Sequence, residues 1–255
     1  MNKSKMNKIK YLISALSIAM SLPLGATETE PTADKIALDS STVEPKRDQQ
    51  VKIKTETSSA AAQLLAGILA NTLTYKAHFK QSVYRENSDQ PETTSGTFLI
   101  QRPNHFRWET MEPFEQVIVA DGTTLWTYDP ELEQASIQNQ HAVLADSPLL
   151  LLTSSVDALV DAFDIIEVEG KDVGSANDTQ HLFSLTPLKS GLFETVHILI
   201  KNNKIKEFFL TDTLGGRTSV EFSEIELNQT IDLKDFIFVP PEDIDIIDSR
   251  ERISD

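Results

Sequence analysis

Residues 116–130 read Gln-Val-Ile-Val-Ala-Asp-Gly-Thr-Thr-Leu-Trp-Thr-Tyr-Asp-Pro, and this stretch predicts a β-hairpin. The dipeptide Asp121-Gly122 lies between two runs rich in β-branched and aromatic residues, Val117 to Val119 and Leu125-Trp126. An Asp-Gly pair suits a two-residue turn because both central residues of that turn take positive φ angles. The sequence therefore predicts two antiparallel strands joined at Asp121-Gly122.

The same period of two extends over residues 75–138, where apolar and polar residues alternate. Alternate residues share one face of a strand, so each run can be assigned a candidate buried face. These candidate faces are Phe98, Ile100 and Arg102 on one predicted strand, and Phe106 and Trp108 on the next. The pattern favours a meander of antiparallel strands.

Further strands are predicted downstream, after an interruption at residues 145–163. They are His181–Thr186, Thr195–Ile200, Ile205–Leu210, Thr218–Leu227 and a last short strand at Phe236–Phe238. The expected fold is mainly β with a helical lid, built on a curved antiparallel sheet of roughly ten strands and three helices.

Two regions carry helical spacing. In residues 58–73 the residues Leu64, Leu65, Ile68, Leu69 and Leu73 recur every three or four positions, which predicts a helix packed on the sheet. Residues 145–163 predict two short apolar helices that together resemble a lid. Close packing of these helices would give an ordinary core, whereas loose packing would leave an apolar pocket for a chain-like ligand.

The beginning of the chain is typical of a secretory signal peptide. Four lysines precede an apolar run of about 14 residues that ends at Gly25-Ala26, too short for a membrane span of roughly 20 residues. Cleavage is predicted after Ala26, which leaves a chain of formal charge −20, since the leader holds four lysines and no acid. Such a charge disfavours nucleic-acid binding and permits only transient contact with anionic membranes.

No cysteine occurs in the 255 residues, which excludes disulfides, thiolate catalysis and lipid attachment through cysteine. The five histidines lack metal-ligand spacing, and no serine-hydrolase elbow or phosphate loop occurs. Asp243, Asp245 and Asp248 lack the glycine and spacing of a calcium loop, so a solvated tail is the expectation. The sequence predicts no metal, no cofactor and no enzyme activity.

Residues 102–109, Arg-Pro-Asn-His-Phe-Arg-Trp-Glu, resemble the Arg-Pro-x-x-Phe-Arg-Trp-Glu signature of the LolA family of outer-membrane lipoprotein carriers. The block at 116–130, extended by Glu133-Gln134, and the ending Phe236-Ile237-Phe238-Val239-Pro240-Pro241 resemble the same family in the same order. The resemblance covers roughly residues 58–248. It implies an unclosed β-barrel of about ten to eleven strands, with three helices covering a hydrophobic cavity.

The resemblance also implies a function and its partners. Carriers of this kind act in the periplasm, accept acylated lipoproteins from an ATP-driven ABC-type complex of the inner membrane, and deliver them to an outer-membrane acceptor. We expect a monomer. The alternative is a lipid- or lipoprotein-sensing regulatory module of the same fold, acting on a membrane signalling partner.

Site residues follow from the resemblance and from the strand faces. Arg102 is the expected latch of the lid, although arginines at strand ends commonly extend to water. The expected wall of the acyl-chain cavity consists of Leu65, Leu69, Phe79, Phe98, Ile100, Phe106, Trp108, Val117, Val119, Trp126 and Tyr128. The expected lid residues are Leu149, Leu150, Leu151, Leu152, Leu159 and Phe163.

Four segments are predicted. Residues 1–26 form the signal peptide and residues 27–57 a polar extension with too few large apolar residues to fold alone. Residues 58–248 form the carrier domain, and residues 249–255 form a short tail.

Overall fold

The computed structural model describes residues 60–85, 90–144, 161–168, 179–189, 191 and 193–250. These residues form one sheet of 12 strands. In chain order the strands are β1 (Thr74–Tyr84), β2 (Glu92–Gln101), β3 (His105–Glu112), β4 (Gln116–Asp121), β5 (Thr124–Asp129), β6 (Gln134–Asn139), β7 (Phe163–Val168), β8 (Gln180–Pro187), β9 (Phe193–Lys201), β10 (Lys204–Asp212), β11 (Arg217–Leu227) and β12 (Asp245–Asp248).

The sheet consists of two antiparallel meanders joined along the chain's first strand. Its order is β12-β6-β5-β4-β3-β2-β1-β11-β10-β9-β8-β7, so β1 to β6 and β7 to β11 each follow the chain and meet where β1 pairs with β11. The predicted class, a mainly β fold with an unclosed sheet, is confirmed. The number of strands is 12, not ten or eleven, and the sheet is not wholly antiparallel because β12 runs parallel to β6.

Two tight turns explain why neighbouring strands in the chain pair. Gly122 has a φ of 99°, and the Asp121 carboxylate accepts hydrogen bonds from the amides of Thr123 (2.9 Å) and Thr124 (2.7 Å). Asn202 and Asn203 have φ angles of 53° and 59°, the conformation that a two-residue hairpin turn requires. The Asn202-Asn203 turn lies where the sequence predicts it, whereas the first turn lies one residue later than predicted, at Gly122-Thr123, because Asp121 ends β4.

The described helices are α1 (60–70), α2 (Gln140–Leu144) and a 3-10 helix at Leu233–Phe236. Residues 145–160, including the predicted lid residues Leu149 to Leu152 and Leu159, lie outside the described ranges. Phe163 was predicted on a lid helix, but residues 161–162 end a helix and Phe163 begins β7. No helix in the described ranges combines the length and apolarity that a membrane crossing requires.

The two faces of the sheet can be told apart by strand register. Cross-strand partners point to the same side, and successive residues point to opposite sides. Phe98 pairs with Trp108, and Trp108 pairs with Ile118, so these three side chains share one side, which we call the inner face. Val119 follows Ile118 and pairs with Trp126, so both lie on the opposite side, the outer face.

Helix α1 belongs to the core of the inner face. Leu65 and Leu69 are fully buried, while Leu64 on the other side of the helix is 37% exposed. The buried residues of α1 form one hydrophobic cluster with those of the inner face. The predicted helix packed on the sheet is therefore present over residues 60–70.

Asn228, directly after β11, holds the end of α1 against the sheet. Its side-chain amide donates to the Asn71 carbonyl (2.8 Å), and its side-chain oxygen accepts from the Leu73 amide (2.8 Å). The Asn228 backbone amide also donates to the Thr74 carbonyl (3.0 Å). These bonds fix the turn that leads from the helix into β1.

The C-terminal segment covers part of the outer face. Phe236 is fully buried, with its ring centroid 5.6 Å from that of His105, and Phe238 lies 5.3 Å from both Trp126 and Tyr128. The predicted closing strand at Phe236–Phe238 is wrong, because the 3-10 helix ends at Phe236.

The acidic tail was expected to be merely solvated, and this expectation is also corrected. Residues Asp245–Asp248 form β12 along the edge of β6. The Asp245 amide donates to the Glu133 carbonyl (2.9 Å), and the Ser249 amide donates to the Ile137 carbonyl (2.8 Å). All four side chains of β12 are nevertheless exposed, so the carboxylates remain solvated while the backbone pairs.

Candidate functional site

The inner face is built around a cluster of aromatic rings, which we call the aromatic cluster. Phe98 lies at its centre, with ring centroids 5.2 Å from Trp108, 5.6 Å from Phe222 and 6.2 Å from Tyr75. Phe79 adjoins Trp108 at 4.0 Å. Strands β1, β2, β3 and β11 supply these rings because their registers place Phe79 opposite Phe222 and Phe98 opposite Trp108. The result is a packed apolar cluster in which each of these five rings is at most 6% exposed.

Tyr75 brings the one phenol of the aromatic cluster. Its hydroxyl donates to the carbonyl of Ile205 (2.7 Å), which joins β1 to β10 across the intervening β11. Burial raises the pKa of Tyr75 because the phenolate would be poorly solvated there. The neutral phenol is therefore the form that holds the two strands together.

A small cavity lies at the end of the aromatic cluster near Arg102. Its free volume is about 10 Å³, roughly what a single water molecule needs. A chain-like ligand could enter this end only if the surrounding side chains moved apart. Its lining residues are Thr72, Tyr75, Phe98, Ile100, Arg102, Ile205 and Phe222.

Arg102 follows directly after β2 and lines this cavity. Its backbone amide donates to the Leu73 carbonyl (2.9 Å), which fixes the start of its side chain beside the end of α1. Desolvation by burial lowers the pKa of Arg102 to about 10, so the guanidinium stays charged at neutral pH.

The structure places most of the predicted cavity residues together on the inner face. All members of this group are buried and belong to one hydrophobic cluster: Leu65, Leu69, Phe79, Phe98, Ile100, Phe106 and Trp108. Arg102 lies with Phe98 and Ile100, as the parity of β2 predicts. A role in binding acyl chains stays a prediction for each of them.

Four predicted cavity residues are on the wrong side of the sheet. Val117 pairs with Tyr128 and Val119 pairs with Trp126, and all four lie on the outer face. Phe238 packs against both Trp126 and Tyr128 there. These four side chains cannot line a cavity on the inner face, because the sheet itself lies between them and Phe98.

Sequence reasoning missed several inner-face residues of the second meander. Phe222 and Phe208 pack edge to face at 5.7 Å and complete the aromatic cluster with Tyr75. A usable signal was present, because Val220 and Phe222 alternate with polar residues within the predicted strand Thr218–Leu227.

The described residues thus form an unclosed β-sheet whose inner face, backed by a helix, is an apolar and largely aromatic surface. Residues 70–239 match the family described as outer membrane lipoprotein carrier protein LolA. Because this match spans more than half of the chain, the protein belongs to the LolA family.

Individual relatives agree with this assignment. The outer-membrane lipoprotein carrier protein of Pseudomonas paraeruginosa is 33% identical over 190 residues, covering 74% of this chain and 88% of the relative. That of Chromohalobacter salexigens is 32% identical over 193 residues, covering 75% and 89%. A solved structure of a LolA superfamily protein from Nitrosomonas europaea aligns with 70% of this chain and 98% of its own, at 11% identity and a TM-score of 0.42.

Proposed function

We propose that this protein is a periplasmic carrier that shields the acyl chains of lipoproteins on its inner face while they cross water. The observation that supports the proposal is the aromatic cluster, a continuous apolar surface on one side of an open sheet. Membership in the LolA family, with relatives named outer-membrane lipoprotein carrier protein, supports the choice of cargo.

The energetics of hydrocarbon in water explain why such a carrier is needed. Exposing a methylene costs about 0.8 kcal/mol, so an acyl chain of ~14 methylenes costs on the order of 10 kcal/mol. Extraction of a lipoprotein from a bilayer is therefore uphill, which requires an energy source outside this chain. We propose that an ATP-driven ABC-type complex of the inner membrane supplies it and that an outer-membrane acceptor receives the cargo.

Release requires that the carrier bind its cargo only moderately. In our proposal Arg102 acts as a latch, because an entering acyl chain must displace a guanidinium that lines the small cavity. The work of displacing it lowers the net affinity, so transfer to an acceptor with a more accessible apolar surface is downhill.

The carrier function is tested by release from membranes. Residues 27–255 are added to inner-membrane vesicles that contain a labelled lipoprotein, the export complex and ATP. We expect a soluble one-to-one complex of carrier and lipoprotein, which should not form without ATP. If the lipoprotein stays in the pellet although the protein is folded and the complex is active, the carrier proposal is wrong.

The latch is tested with Arg102→Leu in the same assay, followed by transfer to acceptor-containing outer-membrane vesicles. We expect normal uptake but transfer slowed by about tenfold, since removal of the buried cation strengthens binding to acyl chains. Arg107→Leu is the matched control, because Arg107 lies in the same segment but on the outer face, where it pairs with Glu109 (2.9 Å). Transfer by Arg102→Leu at the wild-type rate would contradict the latch.

A further inference from the structure

The inner face carries buried polar side chains whose donor or acceptor atoms make no hydrogen bond within the described residues. At the end of the sheet opposite Arg102, atoms of four inner-face residues are buried and have no hydrogen-bond partner within the described part of the chain. They are both side-chain polar atoms of Gln81, the hydroxyls of Thr94 and Thr110, and the side-chain oxygen of Gln116. We call these four residues the polar band.

The sheet register brings the polar band together. Gln81 lies opposite Thr94, and Thr110 lies opposite Gln116. Gly96 links the two pairs, because it lies opposite Phe79 on one side and Thr110 on the other. The polar band therefore adjoins the aromatic cluster directly.

Three members are almost completely buried: Gln81 is 1% exposed, Thr110 2% and Gln116 6%. An unpaired polar atom in the interior destabilises a fold, since its hydrogen bond to water is lost and not replaced. Buried polar groups in folded proteins are nearly always satisfied, so a group of unsatisfied ones calls for a partner from outside the described part of the chain.

The chemistry of the band defines that partner. The Gln81 amide and the threonine hydroxyls can donate, whereas the glutamine oxygens and the same hydroxyls can accept. A ligand that fits must combine hydrocarbon, for the aromatic cluster, with a carbonyl acceptor and an amide donor beside it. A lipid anchor with ester- and amide-linked acyl chains has this composition, because both kinds of linkage supply a carbonyl acceptor and the amide linkage also supplies an N–H donor.

We propose that the polar band binds the ester and amide linkages of the lipoprotein's acyl chains and so orients the cargo. This inference rests on the carrier function proposed above. The hydrocarbon then runs from the polar band across the aromatic cluster toward Arg102. Thr94 and Arg102 are eight residues apart along an extended segment, a distance of about 26 Å at 3.3 Å per residue, which is long enough to match an extended acyl chain once the intervening side chains move apart.

The test compares two synthetic lipopeptides that differ only in their linkages. One carries two ester-linked hexadecanoyl chains on a glyceryl-cysteine, and the other carries two ether-linked hexadecyl chains, which lack the carbonyls. Dissociation constants are measured with the full mature chain, residues 27–255. We expect the wild type to bind the ester form about tenfold more tightly, which corresponds to one or two hydrogen bonds.

Amino-acid substitutions test whether the preference for the ester-linked lipopeptide depends on the polar band. Thr110→Val, nearly isosteric, should reduce the ester preference to about threefold, and the double variant Gln81→Leu/Thr110→Val should abolish it. Thr97→Val is the control, since Thr97 lies on the same strand as Thr94 but on the outer face. Circular dichroism confirms folding, and Thr110→Val serves as the decisive variant if the double variant does not fold.

The outcomes are separable. Equal binding of both lipopeptides by the wild type, or an ester preference that survives in folded variants, would overturn the role of the polar band. Failure of the folded wild type to bind either lipopeptide would instead contradict the carrier function. A dihexadecanoyl phospholipid is added as a competitor because it also contains ester carbonyls. If it displaces the probe while an unlabelled lipopeptide does not, the assignment to lipoprotein cargo is wrong.

Discussion

Both faces of the first meander carry aromatic side chains, but these side chains are covered in different ways. On the outer face Trp126 and Tyr128 pack against Phe238, a residue of the same chain. On the inner face the aromatic cluster continues into the polar band, where buried polar atoms lack partners among the described residues. These outer-face rings are partly covered by the chain's own C-terminal segment, whereas the inner face has buried polar atoms that make no hydrogen bond within the described residues.

This difference indicates which face is suited to a ligand. A surface whose apolar and polar groups are all satisfied within the chain gains little from another molecule. A surface with buried, unsatisfied polar atoms beside aromatic rings gains from a ligand that supplies both hydrocarbon and hydrogen bonds. Substitutions on the inner face should therefore change both the stability of the fold and ligand binding, whereas substitutions on the outer face should change stability alone.

The largest effect is expected for Phe98→Ala. Phe98 is fully buried and contacts Trp108, Phe222 and Tyr75, so its truncation leaves a cavity at the centre of the aromatic cluster. We expect a loss of about 3–5 kcal/mol in the free energy of unfolding, measured by urea denaturation. Binding of the ester-linked lipopeptide should weaken as well. A folded variant with unchanged affinity would show that the ligand does not contact this cluster.

Phe238→Ala tests the outer face and should have a smaller effect. Phe238 is only partly buried, so we expect a loss of about 2 kcal/mol. Affinity for the lipopeptide should stay at the wild-type value, because the sheet separates this residue from the inner face. Weaker binding by a variant that remains folded under the assay conditions would mean that the two faces are not independent.

The sequence predicts the strands of this fold better than it predicts their faces. The two hairpins are encoded locally, by Gly122, Asn202 and Asn203, which take positive φ, and by the Asp121 carboxylate, which accepts the amides of the first turn. The stretch Val117-Ile118-Val119 is apolar at every position, so its period of two does not select a buried face. The face to which each of these three side chains points is set by the pairing register between β3 and β4. That register depends on the connection after Glu112 and cannot be predicted from the alternation of apolar and polar residues.

The C-terminal segment shows a second limit of local reasoning. Phe236-Ile237-Phe238 has the composition of a strand, yet the Asp232 side chain accepts a hydrogen bond from the Lys234 amide (3.0 Å) and begins a 3-10 helix. Residues Asp245–Asp248 have an acidic, loop-like composition but pair with β6. Long-range pairing overrides local propensity at such an edge. For the candidate site, Arg102 and Phe106 were predictable from the family resemblance and Phe98 from the parity of its strand, whereas the polar band depends on a register that only the structure provides.

The smallest effect is expected for Tyr75→Phe, and it should depend on pH. At pH 8 the free energy of unfolding of the variant should be about 1 kcal/mol lower than that of the wild type, because the Ile205 carbonyl loses its donor.

The raised pKa of Tyr75 adds a second effect: above about pH 10 the phenol ionises in the unfolded chain but not in the folded one. The stability that the neutral phenol contributes is present below pH 10 and is lost as pH rises further. The difference between wild type and variant should therefore shrink between pH 10 and 11.5, as followed by urea denaturation at each pH. A difference that stays constant over this range would mean that Tyr75 is as accessible to water in the folded protein as in the unfolded one.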